Sequence, residues 1–157
     1  MMLDIADLYN KDFSAWAARN SELLSQGQFS ELDIPHLLEE LGGMGTSERN
    51  ELENRLVILL AHLLKWQFQY SHLSDKWKEF DGRSWRSTVI EQRARIGKRL
   101  RKSPGLRSVL TELIAEAYED AVELASKETQ LSTEIFSKTC PYTQVQILDE
   151  AYYPFSE

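Results

Sequence analysis

The feature that most constrains the fold is an apolar run with helical periodicity near the middle of the chain, residues 56–66. At 100° per residue, seven side chains of this segment share one broad face, which is typical of a buried helix. They are Leu52, Leu56, Leu59, Leu60, Leu63, Trp66 and Tyr70. Its longest stretch without charge, Leu56 to Leu64, is too short to span a bilayer. No segment alternates apolar and polar residues convincingly with a period of two. The sequence therefore predicts an all-α protein with a central helix over about residues 46–70.

Length and composition favour one globular domain. A chain of 157 residues, of which 42% are hydrophobic, can bury a sizeable core. Seven glycines and four prolines are too few for a collagen-like or disordered chain. The single cysteine, Cys140, excludes an intrachain disulfide and fits a reducing compartment. The acidic N-terminal residues are unlike those of a signal peptide, so we expect a cytoplasmic single domain over residues 1–157.

Capping and turn residues divide the rest of the chain into further helices. The predicted helices run over residues 10–27, 33–41, 46–70, 84–102, 103–129 and 143–152. Between them, Gly42, Gly43 and Gly45 predict a break or kink, because glycine is a poor helix former. Residues 71–82 are polar and predict a loop. The predicted architecture is a single-domain helical bundle of four to five main helices with a packed C-terminal tail and a short terminal helix.

A narrow polar strip runs along the central helix opposite its apolar face. Its members are Glu51, Arg55, His62, Lys65 and Gln69. One interpretation is a seam that faces solvent on an otherwise buried helix. The other is a groove in which His62 acts as an acid, a base or a ligand beside Lys65, because histidine titrates near neutral pH and burial lowers the proton affinity of lysine. The adjacent Trp66 is expected to anchor the core.

Two arginines fall on the inward face of the fourth predicted helix. Arg86 and Arg93 lie seven residues apart in the middle of that face. Because an unpaired buried guanidinium is unfavourable, we expect carboxylate partners from another helix. Glu39 and Glu40 are the first choice and Glu48 the next. Such a network would fix the register of the helices.

A polar pocket that binds a small anion or a metal with its substrate is the functional alternative to that network. It would combine Glu39, Glu40, Arg86 and Arg93 with His62. Trp85 is interpreted as a core aromatic. The candidate catalytic residues are therefore His62, Lys65, Glu39 and Glu40, and the candidate binding residues are Arg86, Arg93, Trp66 and Trp85.

Positive charge is concentrated in residues 83–107, which hold nine basic residues and a single acid. This segment could contact the phosphates of a nucleic acid. The net charge of the whole chain is −7, however, and the fifth predicted helix is rich in glutamate. Neutralisation by that helix in an antiparallel hairpin is the simpler interpretation, and direct binding to nucleic acid remains a third hypothesis.

Blocks of residues along nearly the whole chain resemble the DUF29 family. The blocks are Asp12-Phe13 with Trp16, Leu32-Asp33, Glu39-Glu40, Ser47-Glu48-Arg49, His62-Leu63-Leu64-Lys65-Trp66, Ser84-Trp85-Arg86, Gln92-Arg93, Ser103-Pro104, Tyr118, Glu128-Thr129 and Cys140-Pro141-Tyr142. The resemblance implies a small bacterial α-helical protein, of a kind common in cyanobacteria, whose function is unknown. It brings no catalytic residues.

Motifs for known chemistry are missing from the sequence. The three histidines, His36, His62 and His72, do not have the spacings of a metal site, and one cysteine excludes a zinc cluster. Phosphate-binding loops and dinucleotide fingerprints are also missing. We therefore expect no metal and no cofactor, and favour a non-enzymatic helical module that acts through a protein partner, or through a second copy in a homo-oligomer. The alternative is an enzyme, such as a metal-assisted hydrolase acting on an anionic substrate, that uses the Glu, His and Arg cluster.

Overall fold

The computed structural model describes residues 4–76 and 82–154, and in this part of the chain it contains six α-helices, three 3₁₀ turns and no strand. The helices are α1 (Ile5–Lys11), α2 (Phe13–Ser25), α3 (Ile34–Lys76), α4 (Arg83–Lys102), α5 (Leu110–Thr129) and α6 (Gln144–Leu148). The predicted all-α class is confirmed. None of the described helices combines the length and apolar character needed to cross a membrane.

The chain divides into two compact units, residues 1–47 and residues 48–157, here called the N-terminal and C-terminal units. The boundary falls within α3, which has 43 residues. The single domain over residues 1–157 stays a prediction.

The N-terminal unit is built around one buried tryptophan. Trp16 of α2 is 3% exposed, and its indole N–H donates to Asp33 at 2.9 Å. The side chain of Asn20 accepts a hydrogen bond from the Asp33 N–H and donates to the Trp16 carbonyl. These bonds hold α2 against the start of α3. The predicted end of the first helix is confirmed, because α2 ends at Ser25 and Gly27 takes the left-handed conformation (φ +72°).

The predicted break at residues 42–45 is wrong, because α3 runs through all three glycines. Glycine keeps its backbone N–H, so the helical hydrogen bonds can continue at a cost of about 1 kcal/mol for each glycine relative to alanine. The predicted second and central helices are therefore one helix. Residues 71–76, predicted as part of a loop, belong to α3, whereas residues 77–81 and the His72 side chain lie outside the described part.

The C-terminal unit has a core of leucines from α3 packed with apolar residues from α4, α5 and the tail. Its buried members include Leu52, Leu56, Leu59, Leu60, Leu63 and Leu64 of α3, Val89, Ile96 and Leu100 of α4, Leu110, Leu113, Ala117 and Ala121 of α5, and Phe136, Tyr142 and Ile147 of the tail. Burial of both α3 sides over residues 59–65 confirms that this is the central helix.

Helix boundaries in the C-terminal unit differ from the prediction at two places. Pro104 opens a 3₁₀ turn to Val109 rather than an α-helix, and the Ser108 hydroxyl donates to the Gly105 carbonyl within it. The terminal helix ends at Leu148, four residues earlier than predicted. Its start is as expected, since Thr143 forms a capping box with Gln146.

Candidate functional site

Arg93 has backbone carbonyls as its partners, where carboxylates were predicted. Its Nε donates to the carbonyl of Ile147 at 2.9 Å and its Nη2 to that of Gln146 at 3.1 Å. Both carbonyls belong to the last turn of α6, where helix carbonyls lack intrahelical partners and carry partial negative charge. Burial lowers the pKa of Arg93, while nearby Tyr153 and Asp149 oppose that shift. Arg93 therefore attaches the tail to α4.

Arg86 and Arg93 also share an aromatic ring. Their guanidinium carbons lie 5.3 and 5.5 Å from the centre of the Tyr153 ring. The Trp66 ring lies 4.9 Å from the same ring. Three of the predicted binding residues thus meet around Tyr153, which the sequence analysis did not single out. The contacts are of the cation–π and aromatic type and need no ligand.

Lys65 is buried and paired, although the polar strip was interpreted first as a seam facing solvent. Its side chain is 6% exposed and forms an ion pair with Glu128, whose side chain is 42% exposed. The Lys65 ammonium also lies 5.6 Å from the centre of the half-buried Trp85 ring. The pair joins α3 to α5. The buried Lys65 ammonium is therefore not left unpaired, because the Glu128 carboxylate that pairs with it reaches solvent.

His62 lies next to the Lys65–Glu128 pair, and one of its ring nitrogens forms a hydrogen bond. Its Nδ1 is 2.8 Å from the carbonyl of Ile58, so Nδ1 carries the proton and donates. Burial, and then the charge of Lys65, lower the pKa of His62 below 6.5. The ring is therefore neutral at neutral pH, with Nε2 as its acceptor nitrogen. The structure brings His62, Lys65 and Trp85 together.

Of the two predicted carboxylates, Glu40 belongs to a different cluster, within the N-terminal unit. It accepts a hydrogen bond from the Tyr9 hydroxyl, and this bond raises the pKa of Tyr9 to about 12. The Tyr9 ring stacks on His36 with 3.9 Å between ring centres. His36 lies 2.7 Å from Asp33. Glu39 is exposed.

Sequence reasoning missed this cluster around Tyr9. Burial alone would raise the pKa of Asp33, but hydrogen bonds from Trp16 and His36 outweigh it and lower that pKa below 3.8. The spacing of Asp33 and His36, three residues apart on a helix, is a signal that could have revealed the pair. Tyr9 was missed because it lies on α1, a separate seven-residue helix, whereas the first predicted helix begins at residue 10. The cluster ties α1 to α3.

Among the described residues, one arginine of α4 pairs with acids of α3, and no ion pair joins α4 to α5. Arg99 pairs with Glu51 at 2.8 Å and with Glu48 at 3.6 Å. Of the acidic residues of α5, Glu112 pairs with Arg49 of α3 at 3.3 Å. The neutralisation predicted in an α4–α5 hairpin is therefore not present as ion pairs among the described residues, and α3 supplies the acids that pair with Arg99. This leaves part of the C-terminal half of α4 available for other charges.

One face of α3 in the N-terminal unit is apolar and exposed. Ile34, Leu38, Leu41 and Met44 are 47%, 67%, 62% and 57% exposed. We call these four residues the α3 apolar face. All residues from 41 to 47 are exposed as well. A run of large exposed apolar side chains on one face of a helix is unusual for a protein surface.

The polar side chains described above mainly contact one another rather than forming a reactive centre. No three His, Cys, Asp or Glu residues come together as a metal site in the described ranges 4–76 and 82–154. Cys140 is half-buried, and burial raises the pKa of its thiol, so it is a poor nucleophile. The fold and these sites define an all-α protein whose polar groups connect its helices.

Residues 8–153 match the family described as Domain of unknown function DUF29. The chain therefore belongs to the DUF29 family, as its residue blocks indicated. No curated protein and no solved structure matches the chain.

Proposed function

We propose that this DUF29 chain is a non-catalytic interaction module whose N-terminal unit binds a basic amphipathic helix of a protein partner. The observation that carries the proposal is the α3 apolar face. Four large apolar side chains are between 47% and 67% exposed there, although the same unit buries Trp16 and Leu23 to 5% or less. The unit can therefore bury apolar residues. It also leaves Phe13, Leu24 and Phe29 more than half exposed, and the α3 apolar face differs from these in placing four large exposed apolar residues on one face of one helix.

The spacing along α3 fits a helix as the bound element. Ile34, Leu38, Leu41 and Gly45 follow one another at intervals of four, three and four residues. This is the spacing of the contact line between two packed helices. Gly45 has nothing within 4 Å of the place where its Cβ would be, so a partner backbone can approach closely at the end of the line.

Charge indicates the kind of helix that fits. Residues 1–47 contain eight acidic and two basic residues, a net charge of −6. A second copy of this unit would carry the same charge and be repelled, whereas a partner with lysine and arginine beside its apolar stripe would be attracted. Charge complementarity therefore favours a basic amphipathic helix over a homodimer through this face.

The contribution of the apolar face is large enough for specific binding. Complete burial of a leucine is worth about 1.5–3 kcal/mol. Leu38 and Leu41 are both more than 60% exposed. Covering these two residues alone would contribute roughly 2–4 kcal/mol before the cost of association.

Selection from a displayed library of helical peptides tests the proposal. The library contains basic amphipathic, acidic amphipathic and non-amphipathic sequences, and we expect the basic amphipathic class to be enriched. The double variant Leu38→Gln/Leu41→Gln keeps good helix formers and adds no charge, so it isolates the apolar contribution. It should weaken binding of the selected peptides by tenfold or more, about 1.4 kcal/mol.

The matched control is Ile90→Gln, because Ile90 of α4 is also exposed, at 55%. It should leave binding unchanged. Enrichment of acidic or non-amphipathic peptides would refute the charge argument. Equal binding by the Leu38/Leu41 variant and the unaltered chain would refute the α3 apolar face, provided that circular dichroism shows equal helix content.

A further inference from the structure

A cleft in the C-terminal unit is lined by three arginines. It has a volume of about 440 Å³ and lies between the second half of α4, the 3₁₀ turn that follows and the residues around Leu148. We call it the arginine cleft. Arg93, Arg101 and Arg107 line it together with a single acid, Glu150. The four charged groups sum to +2, and the size is in the range of small-molecule sites.

Gly97 lets one arginine lie against the helix at this cleft. The glycine is in the interior of α4, where it destabilises the helix relative to alanine. A Cβ at position 97 would lie 3.3 Å from Nη1 of Arg101, the residue one turn later. This is tighter than an ordinary contact, so alanine would shift the guanidinium by a few tenths of an ångström. Gly97 therefore lets the Arg101 guanidinium lie close to the helix at the cleft.

Arg93 adds a buried cation with spare hydrogen-bonding capacity. The residue is 5% exposed, and its Nε and Nη2 are used by α6 carbonyls. Its third nitrogen, Nη1, is buried and has no hydrogen-bond partner among the described residues. Because Arg93 is one of the residues that line the cleft, its guanidinium adds a positive charge to the cleft wall.

The remainder of the lining is apolar. Ala94 of α4 and Leu148 at the end of α6 supply its accessible apolar surface, while Leu100 of α4 is buried. An inorganic anion, which has no organic part, would not contact this apolar surface. A ligand with a charged group at one end and a flat or apolar body at the other would contact both parts.

We propose that the arginine cleft binds a phosphate monoester, with its phosphate between Arg101 and Arg107 and its organic body against Ala94 and Leu148. A phosphate monoester carries a charge between −1.5 and −2 at neutral pH, which matches the +2 of the cleft. Its oxygens accept paired hydrogen bonds from guanidinium groups. A carboxylate carries a single charge and would leave the cleft positive. This inference concerns the C-terminal unit and does not depend on the proposed docking of a helix.

The experiment is a titration of the full chain with phenyl phosphate, followed by NMR and calorimetry. Inorganic phosphate is the probe without a body, and benzoate is the probe with the same ring and a single charge. We expect saturable binding of phenyl phosphate that is tighter than that of either probe. Arg101→Gln and Arg107→Gln should each weaken it roughly tenfold or more, because charge-assisted bonds to phosphate are lost.

Two further variants distinguish a built site from general attraction by a basic helix. Gly97→Ala should weaken binding although it removes no charge, since it displaces Arg101. Arg95→Gln removes an exposed α4 arginine that pairs with Glu91, and should leave binding unchanged. Circular dichroism melting confirms that each variant is folded.

Three results would overturn the proposal. These are the lack of saturable binding by phenyl phosphate, benzoate binding as tight as that of phenyl phosphate, and equal weakening by Arg95→Gln and Arg107→Gln. The last result would mean that α4 attracts anions through its net charge alone.

Discussion

Replacing Gly42, Gly43 and Gly45 by alanine is expected to stabilise the middle of α3. All three residues are in continuous α-helix with φ outside the left-handed region. A Cβ built at each position has nothing within 4 Å. Alanine therefore fits without strain, and its benefit comes from the lower backbone entropy that it has when unfolded.

The expected magnitude follows from these observations. Each substitution should contribute about 0.4–1 kcal/mol, because native conformation and space both suit alanine. The triple variant should then gain about 1–3 kcal/mol in the free energy of local opening. Because 1.4 kcal/mol is a factor of ten, amide hydrogens of residues 42–49 should exchange roughly tenfold to a hundredfold more slowly.

Native-state hydrogen exchange measured by mass spectrometry is the assay, and two other glycines provide matched controls. Gly27→Ala should destabilise the N-terminal unit by about 1 kcal/mol, because φ at this position is +72°. Gly97→Ala should gain less than the others, since its Cβ would meet Arg101 at 3.3 Å. Faster exchange in the triple variant would refute the reasoning, because it would mean that residues 42–45 need a conformation that alanine disfavours.

Two further predictions concern the α3 residues that the sequence singled out. Glu128→Gln should destabilise the chain in urea denaturation by about 2–3 kcal/mol, because it leaves the 6%-exposed Lys65 ammonium without its carboxylate. Lys65→Met should lower the free energy of unfolding by less, since methionine keeps the buried apolar stem and the Glu128 carboxylate that it leaves unpaired is partly exposed. A larger loss for Lys65→Met than for Glu128→Gln would contradict the interpretation of Lys65 as the buried partner. His62 has a lowered pKa when folded, so its contribution to stability is complete above about pH 6.5 and is lost as pH falls through the lower folded pKa. His62→Gln should flatten this decline below about pH 6.5, and an unchanged slope would show that other groups cause it.

The fold was predictable where the signal is local. The period of the leucines from Leu52 to Leu64 is a property of one segment, and so is the left-handed cap at Gly27. The path of the chain through Gly42–Gly45 was not predictable in this way. The helix propensity of these glycines is weak, so whether the helix continues through them depends on the helical residues on both sides.

The candidate site was predicted less well, because its contacts join distant parts of the chain. The need of Arg93 for partners followed from its place on an apolar face, but the partners are carbonyls 53 and 54 residues later. A carbonyl carries no sequence signal. The Lys65–Glu128 pair likewise joins two helices whose relative register the sequence does not specify. The α3 apolar face was visible as leucines at 38 and 41, but sequence cannot distinguish an exposed stripe from a buried one.

The measurement that tests the docking proposal most directly is methyl NMR of the chain with Ile, Leu, Val and Met labelled. It is titrated with a basic amphipathic peptide from the helical library. We predict saturable shifts of the methyl groups of Ile34, Leu38, Leu41 and Met44, with those of the exposed Ile90 and Val145 unchanged. Shifts centred on α4 or α6, or no shift at the α3 apolar face, would contradict the account.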